Sequence, residues 1–364
     1  MGRRCGWCPR AIRTPPFDAR SHHPRQNFLT PDSVLLAGDI GGTRTRLALY
    51  DESSGTLRRA VSTQYESRSA STLEEIVVRF LKESGNPPTT AACFGVAGAV
   101  VGGKVRATNL PWQVSEEGLA ERLDIPRVRL LNDLEAAAHG VVAIRDPASL
   151  VSLQAGSPPE ERRALALVSA GTGLGVALMW WNGHEYQVAP SEGGHCDFAP
   201  QDDLEDALIA WLRTQFGHVS YERIVSGPGL ANLYRFLREY RAVAEPAWLT
   251  TRIGFGDPAP VIAEAALDHA DPVCDETLTR FVRIYGAAAG NYALTSLAVG
   301  GVFLGGGIAP KILSRLADGP FLDAFAAKGR FAEAMRKMPI HVVMAPDVAL
   351  LGAAFCVSSN QKAP

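Results

Sequence analysis

The sequence has little that would mark a secreted, membrane-bound or nucleic-acid-binding protein. Its six cysteines (Cys5, Cys8, Cys93, Cys196, Cys274 and Cys356) are scattered, with none of the dense spacing that small disulfide scaffolds depend on. A reducing, cytoplasmic setting is therefore expected. An excess of one charge is also missing: 36 Lys+Arg stand against 38 Asp+Glu, leaving -2 and no broad positive field for nucleic acid. No secretory apolar segment opens the chain. A long uncharged stretch, residues 164–181, is broken by Gly171, Gly173 and Gly175. It reads as two buried strands joined by a turn rather than a membrane span.

What the chain does have is apolar mass. At 364 residues and 46% hydrophobic content it exceeds the roughly 250–300 residues over which one core keeps growing, so two domains are expected. Residues 1–32 stand apart, with Arg3, Arg4, Arg10, Arg13, Arg20 and Arg25 against Asp18 and Asp32, and little apolar periodicity. A targeting segment, a metal-binding tail and untemplated sequence ahead of the true start compete here. The adjacent His22 and His23 miss the usual zinc spacing from Cys5 and Cys8, and serine is sparse for a transit peptide. A disordered extension is the expectation.

From Val34 the chain reads VLLAGDI, then Gly41-Gly42, then TRTRLALY. Two glycines between strand-like runs signal a short hairpin, because primed turns need a positive φ that glycine adopts freely. A strand after the glycines, and the missing G-x-G-x-x-G spacing, exclude a dinucleotide fingerprint. The design recurs about 130 residues later: LALVSA, then Gly171-Thr172-Gly173-Leu174-Gly175, then VALMW. Two such hairpins suggest an internal duplication, and so two similar α/β lobes around a cleft. Helical stripes fill the gaps at Leu73, Ile76, Val77, Phe80 and Leu81; at Leu204, Ala207, Leu208, Trp211 and Leu212; and at Leu230, Leu233, Tyr234 and Leu237, after the breaker Gly227-Pro228-Gly229.

Four stretches carry candidate chemistry. GAVVGGK (residues 98–104) imitates a phosphate loop, but Val105 replaces the required hydroxyl and no helix follows, so Gly102-Gly103 reads as a hairpin turn. Asp39 ends a buried strand beside glycines with free amides, which suits a magnesium-bound phosphate; the bland alternative is an Asx turn. Asn132-Asp133 lies at a strand-to-helix junction, where α/β folds place ligands and where helix N-caps are also common. SEGGHCDF (residues 191–198) gathers Glu192, His195 and Asp197 on a glycine-rich loop, a donor and acceptor set suited to a polyol such as a sugar.

AGDIGGTRTRLALYD, ATNLPW, LLNDLEAAAHG, SAGTGLGVAL, SEGGHCDFAP, SYERIVSGPGLANLYR and GGVFLGGGIAPK follow one another in the order and spacing of the bacterial glucokinase family, which the chain resembles over residues 35–354. That family lies in the actin-like group of sugar kinases and chaperone ATPases. The resemblance implies a two-lobed actin-like (ribonuclease H-like) α/β fold with a duplicated βββαβα core and a central cleft. The small lobe would comprise residues 33–143 plus 347–364, and the large lobe residues 144–346. It implies ATP-dependent phosphorylation of D-glucose to glucose 6-phosphate, with ADP as second product and Mg²⁺ as cofactor. Asp133 would accept the proton of the glucose 6-hydroxyl. Asn109, Asn132, Glu192, His195 and Glu222 would bind the sugar, Asn109 from a hairpin bordering the pocket. Asp39, Gly41, Gly42 and Thr43 match the first phosphate turn, Asp39 holding Mg²⁺ through water. Gly171, Thr172 and Gly173 match the second, and Gly305, Gly306 and Gly307 the stretch along the adenosine. A homodimer is expected from the family alone.

The chain departs from the related ROK kinases, which carry a cysteine-rich zinc motif after the histidine: Cys196 stands without those partners, so no structural zinc is expected. Whether Arg44 touches phosphate is open. Two rivals remain, a kinase of the same fold using polyphosphate or another hexose, and a non-catalytic sugar-sensing regulator. The regulator would need a helix-turn-helix, for which the Arg-rich tail lacks both length and apolar pattern.

Overall fold

The computed structural model describes residues 34–53, 55–108, 110–157 and 161–358. The expected disordered extension (residues 1–32) and Asn109 lie outside them. The first half opens with β1 (Val34–Ile40), β2 (Arg44–Asp51) and β3 (Arg58–Glu66), then α1 (Leu73–Glu83) and β4 (Ala91–Val96). A small sheet of β5 (Val100–Val101), β6 (Lys104–Arg106) and β7 (Gln113–Ser115) precedes α2 (Glu116–Leu123), β8 (Val128–Asn132) and α3 (Asp133–Ala143). The second half starts with β9 (Leu150–Gln154), β10 (Leu165–Ala170), β11 (Leu174–Trp181) and β12 (Tyr186–Ser191). Then come α4 (Asp203–Phe216), α5 (Gly227–Arg241), α6 (Ala247–Gly254), α7 (Pro258–Leu267) and α8 (Pro272–Ser296). The chain ends with β13 (Gly301–Gly305), α9 (Leu313–Ala317), α10 (Pro320–Ala326), α11 (Ala332–Arg336), β14 (Ile340–Val343) and α12 (Val348–Val357).

The duplication read from the two hairpins extends to the sheets. The first runs β3-β2-β1-β4-β8 and the second β12-β11-β10-β13-β14-β9. In each, the leading hairpin is antiparallel and the next two strands join in parallel, so the orders match strand for strand apart from the extra edge strand β9. β1 and β10 are apolar almost throughout because both faces of each sheet are covered. Leu36 and Ile40 of β1 pack with Leu73, Ile76 and Phe80 of α1, whereas Leu35 and Ala37 pack with Leu350, Ala353 and Ala354 of α12. In the second sheet Val168 faces the α5 and α8 side, while Leu167 and Met179 meet Ala138 and Val141 of α3. The helices α3 and α12 thus form one layer between the two sheets.

The three helical stripes and the run of residues 164–181 fold as their periodicity requires, the stripes as α1, α4 and α5 and the run as the β10–β11 hairpin. Gly102 and Gly103 take φ of +57° and +70°, the left-handed values of a primed turn between β5 and β6. Two local expectations are corrected. The β1–β2 link is three residues long, residues 41–43, and closes with the Gly41 amide donating to the Arg44 carbonyl at 2.9 Å. Gly41 does not adopt the left-handed φ of a two-residue primed turn. Gly227-Pro228-Gly229 is also no breaker but the first turn of α5: Ser226 caps it, accepting from the Gly229 amide at 3.0 Å, and proline suits a first turn where no amide is needed.

Candidate active site

Most of the candidate residues sit at the carboxyl ends of the central strands, the edge where open α/β sheets bind ligands. Asp39 lies near the end of β1 and Asn132 ends β8; Gly171 follows β10 and Gly305 ends β13. Asp133 is the first residue of α3, capped by the Asn132 side chain, whose Oδ1 accepts from the Leu134 amide at 2.9 Å. Asn132 Nδ2 donates to the Gly98 carbonyl at 3.1 Å. The cap reading and the site reading of this pair are therefore compatible. Two close approaches hold the first turn of α3. A Cβ at Gly95 of β4 would fall 2.8 Å from Ala136 Cβ, and one at Gly175 of β11 would fall 2.9 Å from Leu134 Cδ1. One glycine from each sheet thus lets the start of α3 settle between them.

Asp133 keeps access to solvent, yet lies deep enough between the halves that desolvation raises its carboxyl pKa above the ordinary aspartate range. The Leu134 amide opposes that rise, and the charges of Asp39 and Glu192 add to it. Asp133 is thereby electrostatically linked to the β1 carboxylate on one side and the glycine-rich loop on the other. In that loop, His195 Nε2 is 3.9 Å from Glu192 Oε2, and His195 Nδ1 is 4.0 Å from Glu222 Oε1. His195 thus stands between Glu192 and Glu222, whereas Asp197, the other acid of the polyol set, turns to His218, its Oδ1 2.7 Å from Nε2.

The second glycine turn closes with the Gly171 amide donating to the Gly173 carbonyl at 2.8 Å. The stretch around Gly305–Gly307 lies beside it, the Ile308 amide donating to the Ala170 carbonyl at 3.3 Å. In the first turn Thr43 is exposed, and Ser67 braces the loop through Gly41 O at 2.7 Å.

The sequence reading missed several supporting residues. Arg46 reaches the β1 carboxylate: its Nη2 is 2.7 Å from Asp39 Oδ2, and its Nη1 donates to the Pro346 carbonyl at 2.7 Å. Pairing register held the signal, since Asp39 lies directly opposite Arg46. Burial raises the Asp39 carboxyl against the pull of Arg46. On α8, Tyr292 donates to Gly193 O at 2.6 Å and Asn291 to Tyr221 Oη at 2.8 Å, bracing both sugar-side segments from behind.

A cavity of about 950 Å³ lies at the opposite end of α3, lined by Arg145, Arg162, Trp181, Tyr186, Leu351 and Phe355. None of the candidate residues lines it, so volume alone does not find the site. Cys196 is exposed, and among the described residues no three His, Cys, Asp or Glu side chains are grouped to hold a metal ion.

Residues 36–360 match the family model described as Glucokinase. The chain belongs to the glucokinase family. A glucokinase of Trichormus variabilis is 38% identical over 341 residues, covering 90% of this chain and 99% of that protein. The crystal structure of a glucokinase from an Antarctic psychrotroph superposes with a TM-score of 0.79 at 31% identity, covering 89% of this chain and 98% of that one. A ROK family glucokinase from Streptomyces griseus, in complex with glucose and AMPPNP, shares the fold at a TM-score of 0.58 and 21% identity, over 88% of this chain and 98% of its own. The two matched sheets and the helix layer between them are the two-lobed actin-like sugar-kinase architecture that the motifs implied.

Proposed function

We infer that the chain transfers the γ-phosphoryl group of ATP to the 6-hydroxyl of D-glucose, giving glucose 6-phosphate and ADP. The observation that carries this reading is Asp133: a desolvated carboxylate at the start of α3, electrostatically linked to Asp39 and to Glu192. A loose phosphoryl-transfer transition state asks the protein mainly to position reactants and neutralise charge. Glu192, His195, Glu222, Asn132 and Asn109 are proposed to hold the sugar. Asp133 orients the 6-hydroxyl and takes its proton as the new O–P bond forms, while the β–γ bridging oxygen leaves with ADP. A carboxylate whose pKa is raised above its ordinary value is a better proton acceptor.

The amides and hydroxyl of residues 41–43 and 171–173 are proposed to face the phosphates, with residues 305–307 along the adenosine. Asp39 suits a magnesium ion carried by the nucleotide. Arg46 takes Oδ2, and no described residue donates to Oδ1, so one oxygen remains for a metal-bound water. Bound there, the ion would offset charge on the phosphate oxygens. The ATP donor is further supported by the AMPPNP in the S. griseus relative.

We also propose the lobe division 33–143 plus 347–364 and 144–346, supported by the matched sheets and by α12 returning to the first one. Closure of such lobes would exclude water, which competes as acceptor. A cytoplasmic homodimer completes the reading. The scattered cysteines support its location, and among the described residues no helix is long and apolar enough to cross a membrane.

The test is a coupled assay of glucose 6-phosphate formation with Mg-ATP, beside calorimetric glucose binding, for wild type and Asp133→Asn. General-base loss should lower kcat by about 10²- to 10⁴-fold with glucose affinity nearly retained. Wild type that binds glucose but forms no product from ATP would overturn the assignment.

A further inference from the structure

The segment of residues 222–227 grips the second glycine turn at both ends. Glu222 Oε2 accepts from the Leu174 amide, just past the turn, at 2.9 Å. The Gly227 amide donates to the Gly171 carbonyl, at its start, at 2.8 Å. Ser226 ties the two grips together, its Oγ donating to the Glu222 carbonyl at 2.7 Å while capping α5. Meanwhile Glu222 Oε1 stands 4.0 Å from His195 Nδ1, on the sugar side. One carboxylate therefore has one oxygen on the phosphate turn and the other at the sugar cluster. The approach is close: a Cβ at Gly173 would lie 2.5 Å from Glu222 Oε2.

We propose that Glu222, locked against Gly173 and the Leu174 amide, is the positioning residue through which occupancy of the sugar site sets the second phosphate turn, and the turn in return sets sugar affinity. This inference rests on the proposed roles of Glu222 and of residues 171–173. A sugar hydroxyl that draws on Oε1 pivots the carboxylate about Cδ, and Oε2 carries the Leu174 amide with it. A hydrogen bond of 2.9 Å weakens with a shift of a few tenths of an ångström, so no large movement is needed. Linkage makes the effect reciprocal: whatever factor glucose applies to nucleotide affinity, the nucleotide applies to glucose.

The decisive experiment is calorimetric titration of the full chain with glucose, first without nucleotide and then with saturating ADP, for wild type, Gly173→Ala, Glu222→Ala and the control Gly256→Ala. Gly173→Ala adds one methyl group in the phosphate turn that can only displace the Glu222 carboxylate. It should weaken glucose binding about tenfold with no nucleotide present, as loss of one charged hydrogen-bond partner would. Gly256→Ala, outside the site and where a Cβ likewise meets nothing within 4 Å, should keep the wild-type glucose affinity. ADP should change glucose affinity in wild type, and that factor should fall towards one in Gly173→Ala and Glu222→Ala. Wild-type glucose affinity in Glu222→Ala would refute Glu222 as a sugar contact. Weakened binding in Glu222→Ala beside wild-type binding in Gly173→Ala would refute the coupling alone. No ADP effect on glucose affinity in wild type would refute it without any variant.

Discussion

Gly352→Ala puts two opposed effects on one residue. An added methyl group in a helix interior gains about 0.8–1.0 kcal/mol of helix propensity. Gly352, however, sits where α12 crosses α3. Its Cβ would fall 2.9 Å from the Ala136 carbonyl carbon, with the carbonyl oxygen nearer still; on the facing helix a Cβ at Gly140 would fall 2.8 Å from the Val348 carbonyl carbon. Carbon atoms rest at about 3.5–4.0 Å, so the helices must part by roughly 1 Å. Overpacking of this kind costs about 1–3 kcal/mol, and the obstacle here is backbone, which cannot rotate away. Strain should offset or exceed propensity, leaving a net loss of up to about 2 kcal/mol. The same movement reaches the site, because Asp133 begins α3. A misplacement near 1 Å can cost about 10²-fold in rate. Urea unfolding should show a lower midpoint, and kcat should fall while the KM for Mg-ATP changes little. A midpoint at or above wild type with unchanged kcat would refute the reasoning, showing that the helix layer yields without disturbing the base.

Three further outcomes are expected. The acid limb of the pH–rate profile should lie above the ordinary aspartate value of 3.8, because Asp133 must be ionised to accept a proton and burial raises its pKa; a limb at or below 3.8 would reject it as the base. His139 is buried on α3, its pKa pushed down to about 4 by burial, with Arg129 adding to the effect. Its neutral form is favoured on folding, so its stabilisation is complete above 6.5 and drains away as pH falls from 6.5 towards 4, by up to about 3 kcal/mol. His139→Asn should flatten the decline of the urea midpoint over that window, and an unchanged slope would assign the decline to other groups. Asp271→Ala removes the N-cap of α8, which accepts from the Cys274 amide at 2.8 Å, and takes the carboxylate from Arg238, whose Nη2 is 2.6 Å from Asp271 Oδ2 with both side chains buried, leaving its charge only the neutral acceptors Tyr234 Oη and the Ala244 carbonyl. A loss of about 3–5 kcal/mol follows, read as a large drop in urea midpoint; a drop of less than about 1 kcal/mol would mean that Arg238 finds water or another acceptor.

Local pattern made much of this legible in advance. The stripe from Leu73 to Leu81 has the 3.6-residue period that only one helix face satisfies, and it became α1 with Leu73, Ile76, Val77 and Phe80 buried. The two glycine-interrupted apolar runs announced the duplicated hairpins, because a central strand covered on both faces has no polar alternation to offer. Asn132 and Asp133 were readable as a junction, and the ordered motifs pointed to the family. The long helix α8, with 15 of its 25 residues buried, also carries a stripe, at Cys274, Leu278, Phe281, Tyr285, Ala288 and Tyr292, which the sequence reading did not use.

The sequence by itself therefore determined element types, the repeat and the chemistry-bearing residue types, all of which depend on neighbours a few positions away. Tertiary structure decided which of them meet. The pairing of Asp39 with Arg46 follows from strand register and is set by a whole hairpin. Glu222 lies 48 residues beyond the Leu174 amide it accepts from, and Tyr292 lies 99 beyond the Gly193 carbonyl it braces. The raised pKa of Asp133 has the same origin. Desolvation and the field of distant carboxylates act through space, and they exist only once two sheets close on the helix that carries it.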